Sequence, residues 1–118
     1  MIGAQRATIA GTWLEDNLGD VVEVKLYDTQ ENAYLDLASG RVDGVLADKL
    51  VNWEWLKSEP GQGFEFKGEP VYDNDKIGIA LRKGDDALRE KLNVALQAMV
   101  ADGTYQQIND KYFPFSIK

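Results

Sequence analysis

The sequence predicts an α/β fold in three layers, a mostly parallel sheet with helices on both faces, and three observations carry that prediction. Short apolar runs alternate with amphipathic helical stretches through residue 57, helix-ending punctuation separates them, and the apolar run "VDGVLAD" (42–48) lacks the two-residue alternation of a strand with one wet face. Alternating strands and helices imply βαβ units, whose right-handed crossovers build a parallel sheet. A strand without alternation fits a place covered on both faces.

In order, "IGAQRAT" (2–8) is a short apolar strand ending in a polar turn, and "TWLEDNLG" (12–19) sets Trp13, Leu14 and Leu18 at helical spacing before Gly19. "VVEVKLYD" (21–28) alternates Val22, Val24 and Leu26 with Glu23, Lys25 and Tyr27, as a strand near a sheet edge does. Asp28 followed by Glu31 resembles a capping box, and a helix through Ala33, Tyr34, Leu37 and Ala38 ends at Ser39-Gly40. After the 42–48 strand comes a helical stretch through Leu50, Val51, Trp53 and Leu56 that Pro60-Gly61 stops. "FEFKGEPVY" (64–72) and "KIGIALRK" (76–83) read as extended. Residues 85–103 place Leu88, Leu92, Leu96 and Met99 on one helical stripe, with Asp in front and Gly103 behind. Thr104 and Gln107 form a second capping-box candidate, opening a short helix that Pro114 closes.

With 118 residues, 44% of them hydrophobic and 28% charged, the chain has enough apolar area for one core. A net charge of −7 with scattered basic residues argues against a nucleic-acid partner. Without cysteine or histidine there is no disulfide framework, no thiolate or imidazole metal site and no Ser-His-Asp chemistry. No run approaches the roughly 20 apolar residues that span a bilayer, so membrane insertion is not expected. "MIGAQRATIAG" lacks the order of a signal peptide, which leaves either a cytoplasmic protein or one whose targeting segment is absent from this chain.

The strand 42–48 stops on Asp48, and the polar turn after the first strand carries Thr8; both fall at the carboxyl ends of strands, where open α/β sheets mount their ligands. Together "IGAQRAT", "VKLYDTQENAYLDLASGRVDGVLAD", "FKGEPV", "IGIALRKGDDALREKLNVAL" and "ADGTYQQINDKYF" resemble, in order and spacing, the second half of the periplasmic amino-acid-binding proteins of ABC importers, in the branch that binds arginine, lysine, ornithine and histidine. The resemblance implies two lobes that trap the ligand by hinge closure. Residues 1–75 would be the second-lobe α/β unit, and 76–118 a return strand with C-terminal helices packed on the same sheet.

The same resemblance matches Asp48 to the carboxylate that pairs with the ligand's α-ammonium group. It matches Arg6, Ala7, Thr8 and Ile9 to the loop whose backbone N–H groups, with the Thr8 hydroxyl, meet the α-carboxylate. Gln5 falls where the strand end brushes the ligand side chain. The family commonly carries a glycine and two hydroxyl residues where this chain has Ala7, Thr8 and Ile9. Plainer roles compete: Asp48 and Thr8 are both good helix caps, contributing about 1 kcal/mol each. Arg41 and Asp43 read as a structural turn pair, and Asp73, Asp75, Asp85 and Asp86 lack the glycine and bidentate Glu of a calcium loop. Trp13, Trp53 and Trp55 suit core or lobe contacts better than ligand stacking.

The function so implied is the ligand-binding lobe of a periplasmic solute-binding protein for a polar, cationic L-amino acid, delivering to an ABC permease, without catalysis or cofactor. An enzyme of the cyclohexadienyl dehydratase type shares the fold and is the competing class; an isolated lobe without activity is the third. With its first-lobe portion absent, the lobe would lose a sheet strand. Residues 77–82 of "KIGIALRK" are then expected to insert antiparallel beside the strand ending at Asp48, giving a five-stranded mixed sheet, or to be exchanged between copies in a swapped dimer.

Overall fold

Strand β1 (Ile2–Gln5) is the centre of the sheet, because its two inner residues, Gly3 and Ala4, point to opposite faces and are both buried. It pairs in parallel with β2 (Val24–Tyr27) over its whole length and with β3 (Gly44–Val45) over Ile2 and Gly3, giving the order β2-β1-β3. Gly3 is small for a reason: a Cβ there would stand 3.0 Å from the Tyr27 ring. The structure, a computed structural model, describes residues 1–71 and 76–118. The chain divides into two units, Met1–Glu69 and Pro70–Lys118.

In the first unit, α1 (Ile9–Leu18) links β1 to β2 and α2 (Gln30–Ala38) links β2 to β3. The two crossovers run in opposite directions along the sheet, so right-handedness places these helices on opposite faces. Leu14 of α1 and Ala33 and Tyr34 of α2 are buried, and Tyr27, Ala33 and Val42 form a cluster with Met1, Leu37 and Val45 around it. Asp36 ties α2 to β2: it accepts from Lys25 Nζ and the Tyr27 hydroxyl at 2.7 Å each and from Arg41 Nε at 2.6 Å. Helix α3 (Lys49–Leu56) and a 3-10 turn (Pro60–Gly63) complete the unit.

In the second unit, α4 (Asp86–Ala101) starts on an Asp85 cap, its carboxylate accepting from Leu88 N–H at 3.3 Å. Gly103, at φ 83°, turns the chain into α5 (Thr104–Tyr112). Asn109 is 3% exposed and fastens the C-terminal segment, donating to Phe115 C=O at 2.9 Å and accepting from Ile117 N–H at 3.0 Å. No helix among the described residues is long and apolar enough to cross a membrane.

The α/β class and parallel sheet agree with the sequence, and the details correct it in four places. The sheet of the described residues has three strands, all parallel, and not five with one antiparallel. Residues 77–82 form no strand, and Ile77 and Ile79 are 94% and 65% exposed. The edge they were expected to join offers only Gly44–Val45, too short a ladder to offset the ordering of six residues. The strand expected over 42–48 is only Gly44–Val45, at the edge of the described sheet, and it ends before Asp48, which is the N-cap of α3; its missing alternation reflects this two-residue ladder, the central place belonging to β1. Finally, α2 is capped by Thr29, which accepts from Asn32 N–H at 3.2 Å, and α5 by Gly103 with the Asp102 carboxylate accepting from Thr104 N–H at 2.9 Å. In both cases the cap lies one residue from the position the pattern marked.

Candidate functional site

The connection from β1 goes to β2 on one side and the next returns to β3 on the other, so strand order reverses between β1 and β3. Such a switch point leaves a crevice beyond the carboxyl ends of the strands, because the two loops there run to opposite faces. The hydrogen bonds draw that crevice. Toward β2 the ladder continues past the strand, with Arg6 N–H donating to Tyr27 C=O at 2.8 Å, whereas toward β3 it stops at Leu46 N–H donating to Gly3 C=O at 2.9 Å. The β2 flank is closed and the β3 flank is open.

On the β1 side, Thr8 caps α1. Its hydroxyl donates its one proton to Gln5 C=O at 2.7 Å and accepts from Gly11 N–H at 3.2 Å. The hydroxyl therefore shapes the turn, and the outward donors at this helix start are the first-turn N–H groups of Ile9 and Ala10, which by helix geometry have no intrahelical acceptor. Ala7 makes the turn possible at φ 57°, a left-handed conformation that disfavours any residue with a Cβ. Gly11 keeps the helix close to the strand: a Cβ there would meet Gln5 C=O at 2.7 Å.

On the β3 side, Asp48 is exposed and sits at the N-cap of α3, yet it makes no capping hydrogen bond, and among the described residues no ion pair engages it. The capping role does not consume this carboxylate. Its backbone is held from below: the Tyr34 hydroxyl donates to Asn52 Oδ1 at 2.8 Å, and Asn52 Nδ2 donates to Ala47 C=O at 3.3 Å. Burial raises the Tyr34 phenol to about 12, so it stays a donor throughout the physiological range.

Thr8 and Ile9 stand at the helix start that follows β1 and Asp48 at the one that follows β3, while Arg6 and Gln5 engage the β2 side. Arg6 pairs with Asp28 at 2.8 Å and donates to Leu26 C=O at 3.3 Å, and Gln5 Nε2 donates to Asp28 C=O at 3.4 Å. Arg41 and Asp43 are structural but not partners: Arg41 binds Asp36, and Asp43 binds the Met1 amino group. Trp55 stacks on Tyr34, centroids 4.4 Å apart, and Phe64 lies against it at 5.2 Å, a packing role. The first unit has a surface concavity lined by Gln62, Gly63, Phe64, Glu65 and Lys67, and the second has one lined by residues of Ile79–Arg89; none of the lining residues is Thr8, Ile9 or Asp48. No group of three His, Cys, Asp or Glu gathers as a metal site among the described residues, and Asp73 and Asp75 lie outside them.

Sequence reasoning missed Asp28, Tyr34 and Asn52 as supports of the site. Asp28 could have been found by counting: it is the first residue after β2, as Arg6 is after β1. Tyr34 and Asn52 meet across 18 residues, and no local pattern announces that contact.

A parallel α/β sheet brings an unspent carboxylate and the open start of a helix to its switch point. Residues 10–115 match the family of bacterial extracellular solute-binding proteins, family 3, and the chain belongs to that family. It is 44% identical over 115 residues to ABC transporter arginine-binding protein 1 of Escherichia coli, covering 96% of this chain and 47% of that protein. It is 45% identical over 102 residues to the L-arginine-binding protein of Pseudomonas aeruginosa, covering 81% of this chain and 39% of that one. The solved structure of an ancestral arginine-binding protein bound to glutamine superposes with a TM-score of 0.77 at 36% identity, over 97% of this chain and 50% of that one. The chain spans half or less of the length of these relatives.

Proposed function

We propose that this chain forms one wall of an amino-acid site in a periplasmic solute-binding protein that serves an ABC importer, with a polar, cationic L-amino acid as the ligand. Asp48 pairs with the α-ammonium group, the first-turn N–H groups of α1 take the α-carboxylate with Thr8 and Ala7 holding their turn, and the side chain lies past Gln5. The observation that carries this is the carboxylate of Asp48, brought to the open flank of the switch point and left without a partner. A zwitterion satisfies both sides of the crevice at once, since carboxylates favour helix N-termini and ammonium groups favour carboxylates. The arginine-binding names of the two curated relatives and the net charge of −7 support a cationic side chain. Those relatives are named as binding proteins, which supports a module without catalysis.

The 118 residues supply one side of a cleft, and an exposed ion pair contributes little, so the chain alone binds in the millimolar range, about −4 kcal/mol. Titrating the 15N-labelled chain with L-arginine, L-lysine, L-glutamine and L-glutamate tests the ligand class. The two cationic amino acids bind in the millimolar range and L-glutamate most weakly. Preference for L-glutamate, or equal response to all four, overturns the proposed class.

A further inference from the structure

Asn52 holds both peptide planes that meet at Asp48. Its side-chain Nδ2 donates to Ala47 C=O at 3.3 Å, which ties down the plane before Asp48, and its backbone N–H donates to Asp48 C=O at 3.0 Å, which ties down the plane after it. The two soft torsions of a residue are the rotations of those planes about its Cα, so one residue governs both torsions of Asp48. The amide is itself keyed from α2: the Tyr34 hydroxyl donates to Asn52 Oδ1 at 2.8 Å, and because Ala47 C=O can only accept, Nδ2 has to face it. Tyr34 is buried and stacked on Trp55, three residues further along α3, so this anchor is packed in place.

The torsions so held differ from those at the other α-helix starts of the first unit. Thr8 stands at φ −108°, ψ 164° and Thr29 at φ −130°, ψ 153°, and each accepts from the N–H three residues on, that of Gly11 and that of Asn32. Asp48 stands at φ −54°, ψ 140° and accepts from none, although aspartate caps helices as well as threonine does. Resting on the role of Asp48 proposed above, we infer that Asn52 is a positioning residue for ligand affinity: by holding Asp48 in this backbone state it keeps the carboxylate off its own helix and free for the ligand's α-ammonium group. The internal competitor is the Val51 N–H, the counterpart of Gly11 and Asn32, which by helix geometry has no intrahelical acceptor. Released from Asn52, Asp48 relaxes toward the torsions of Thr8 and Thr29 and caps α3 through Val51. A ligand then has to displace that bond, which weakens every α-amino ligand about fivefold, the contribution of one helix cap.

Asn52→Ala in the 15N-labelled chain tests this, and Tyr34→Phe, which keeps the stacked ring and removes only the hydroxyl that orients the amide, is a second variant. In the ligand-free wild type the three-bond HN–Hα coupling of Asp48 is small, as φ −54° requires, and the Val51 amide exchanges as an uncapped first-turn N–H does. In Asn52→Ala the coupling rises toward those of Thr8 and Thr29, Val51 exchange slows about fivefold and L-arginine binds about fivefold more weakly. Tyr34→Phe moves all three the same way by less. Adding Asn52→Ala to Asp48→Ala costs no further affinity, because Asn52 acts only through that carboxylate. An Asp48 coupling and a Val51 exchange rate that stay unchanged in both variants, or a further loss in the double variant, overturns the inference. Asp48→Ala distinguishes the two levels. If it leaves L-arginine binding unchanged, the role of Asp48 itself falls; if it weakens binding while Asn52→Ala does not, only the role of Asn52 falls.

Discussion

The ring of Tyr34 lies flat on Trp55, with centroids 4.4 Å apart and planes 8° from parallel, and this contact joins α2 to the helix that carries Asp48 at its start. Trp55 is also the bridge to Phe64. Stacked aromatic pairs contribute more than their buried area alone, and α3 has no fully buried residue to hold it otherwise. Trp55→Ala is expected to cost about 2–3 kcal/mol, the lower end for deleting a large aromatic side chain because Trp55 is only partly buried. Urea denaturation followed by circular dichroism measures it; a loss below about 0.5 kcal/mol, the range of a neutral surface change, would remove this contact from the framework of the site.

Alkaline pH acts on the same link. The Tyr34 phenol titrates near 12 in the folded chain, chiefly because burial disfavours its charged form, against about 10 when unfolded. A raised acid is stabilised in its neutral form, so this contribution is fully present below pH 10 and is lost as pH climbs from 10 toward 12. Tyr34→Phe is expected to flatten that alkaline limb and to lower stability at pH 7 by about 1 kcal/mol, through loss of the bond to Asn52. An alkaline limb of the same depth in the variant would assign it to another tyrosine.

At the opposite end of the pH scale the relevant group is Asp36. The Lys25 ammonium, then the Tyr27 hydroxyl and the Arg41 guanidinium, hold its carboxyl well below the usual carboxylate range. A depressed acid stabilises the fold above its unfolded value near 3.9 and loses that contribution as pH falls further. Asp36→Asn is expected to lower the melting temperature by several degrees at pH 7 and to flatten the decline below about pH 4. Thermal unfolding from pH 2 to pH 7 checks both, and parallel wild-type and variant curves would deny the hub its role.

Ala7 stores strain beside the site. A residue with a Cβ pays about 1–2 kcal/mol in the left-handed region, and glycine returns about 0.4–1 kcal/mol of that through its freer unfolded chain. Ala7→Gly is therefore expected to stabilise by up to about 1 kcal/mol. A destabilised variant would mean that the methyl group makes a compensating contact.

Much of this was legible before the structure, and the failures have a common physical cause. Helix α4 could be bounded at residues 86 and 101 because its apolar stripe, Asp85 cap and Gly103 are all local signals. The helix starts at Thr8 and Asp48 were legible for the same reason, since both are good capping residues and both stand at N-caps, although the strands before them end three residues earlier. Strand number was not legible: whether "KIGIALRK" is a strand depends on an edge long enough to receive it, and β3 pairs over only two residues. Asp28 was misread because its spacing to Glu31 imitates a cap, while its actual partner, Arg6, comes from another strand through the register. The Thr8 hydroxyl likewise had its proton taken by Gln5 C=O, a bond that only the left-handed turn at Ala7 brings within reach.

The most direct test of the switch-point site is a residue-by-residue map of which part of the ligand each wall holds. The 15N-labelled chain is titrated with L-arginine, with agmatine, which lacks the α-carboxylate, and with N-acetyl-L-arginine, whose α-nitrogen carries no charge. L-Arginine is expected to shift the amides of Ile9 and Ala10 together with those of Asp48 and Lys49. Agmatine should lose the response at Ile9 and Ala10, and N-acetyl-L-arginine the response at Asp48. Shifts centred instead on the surface along Gln62–Lys67 or Leu81–Arg89, or a response at Asp48 that persists without the charged α-ammonium group, would contradict the account.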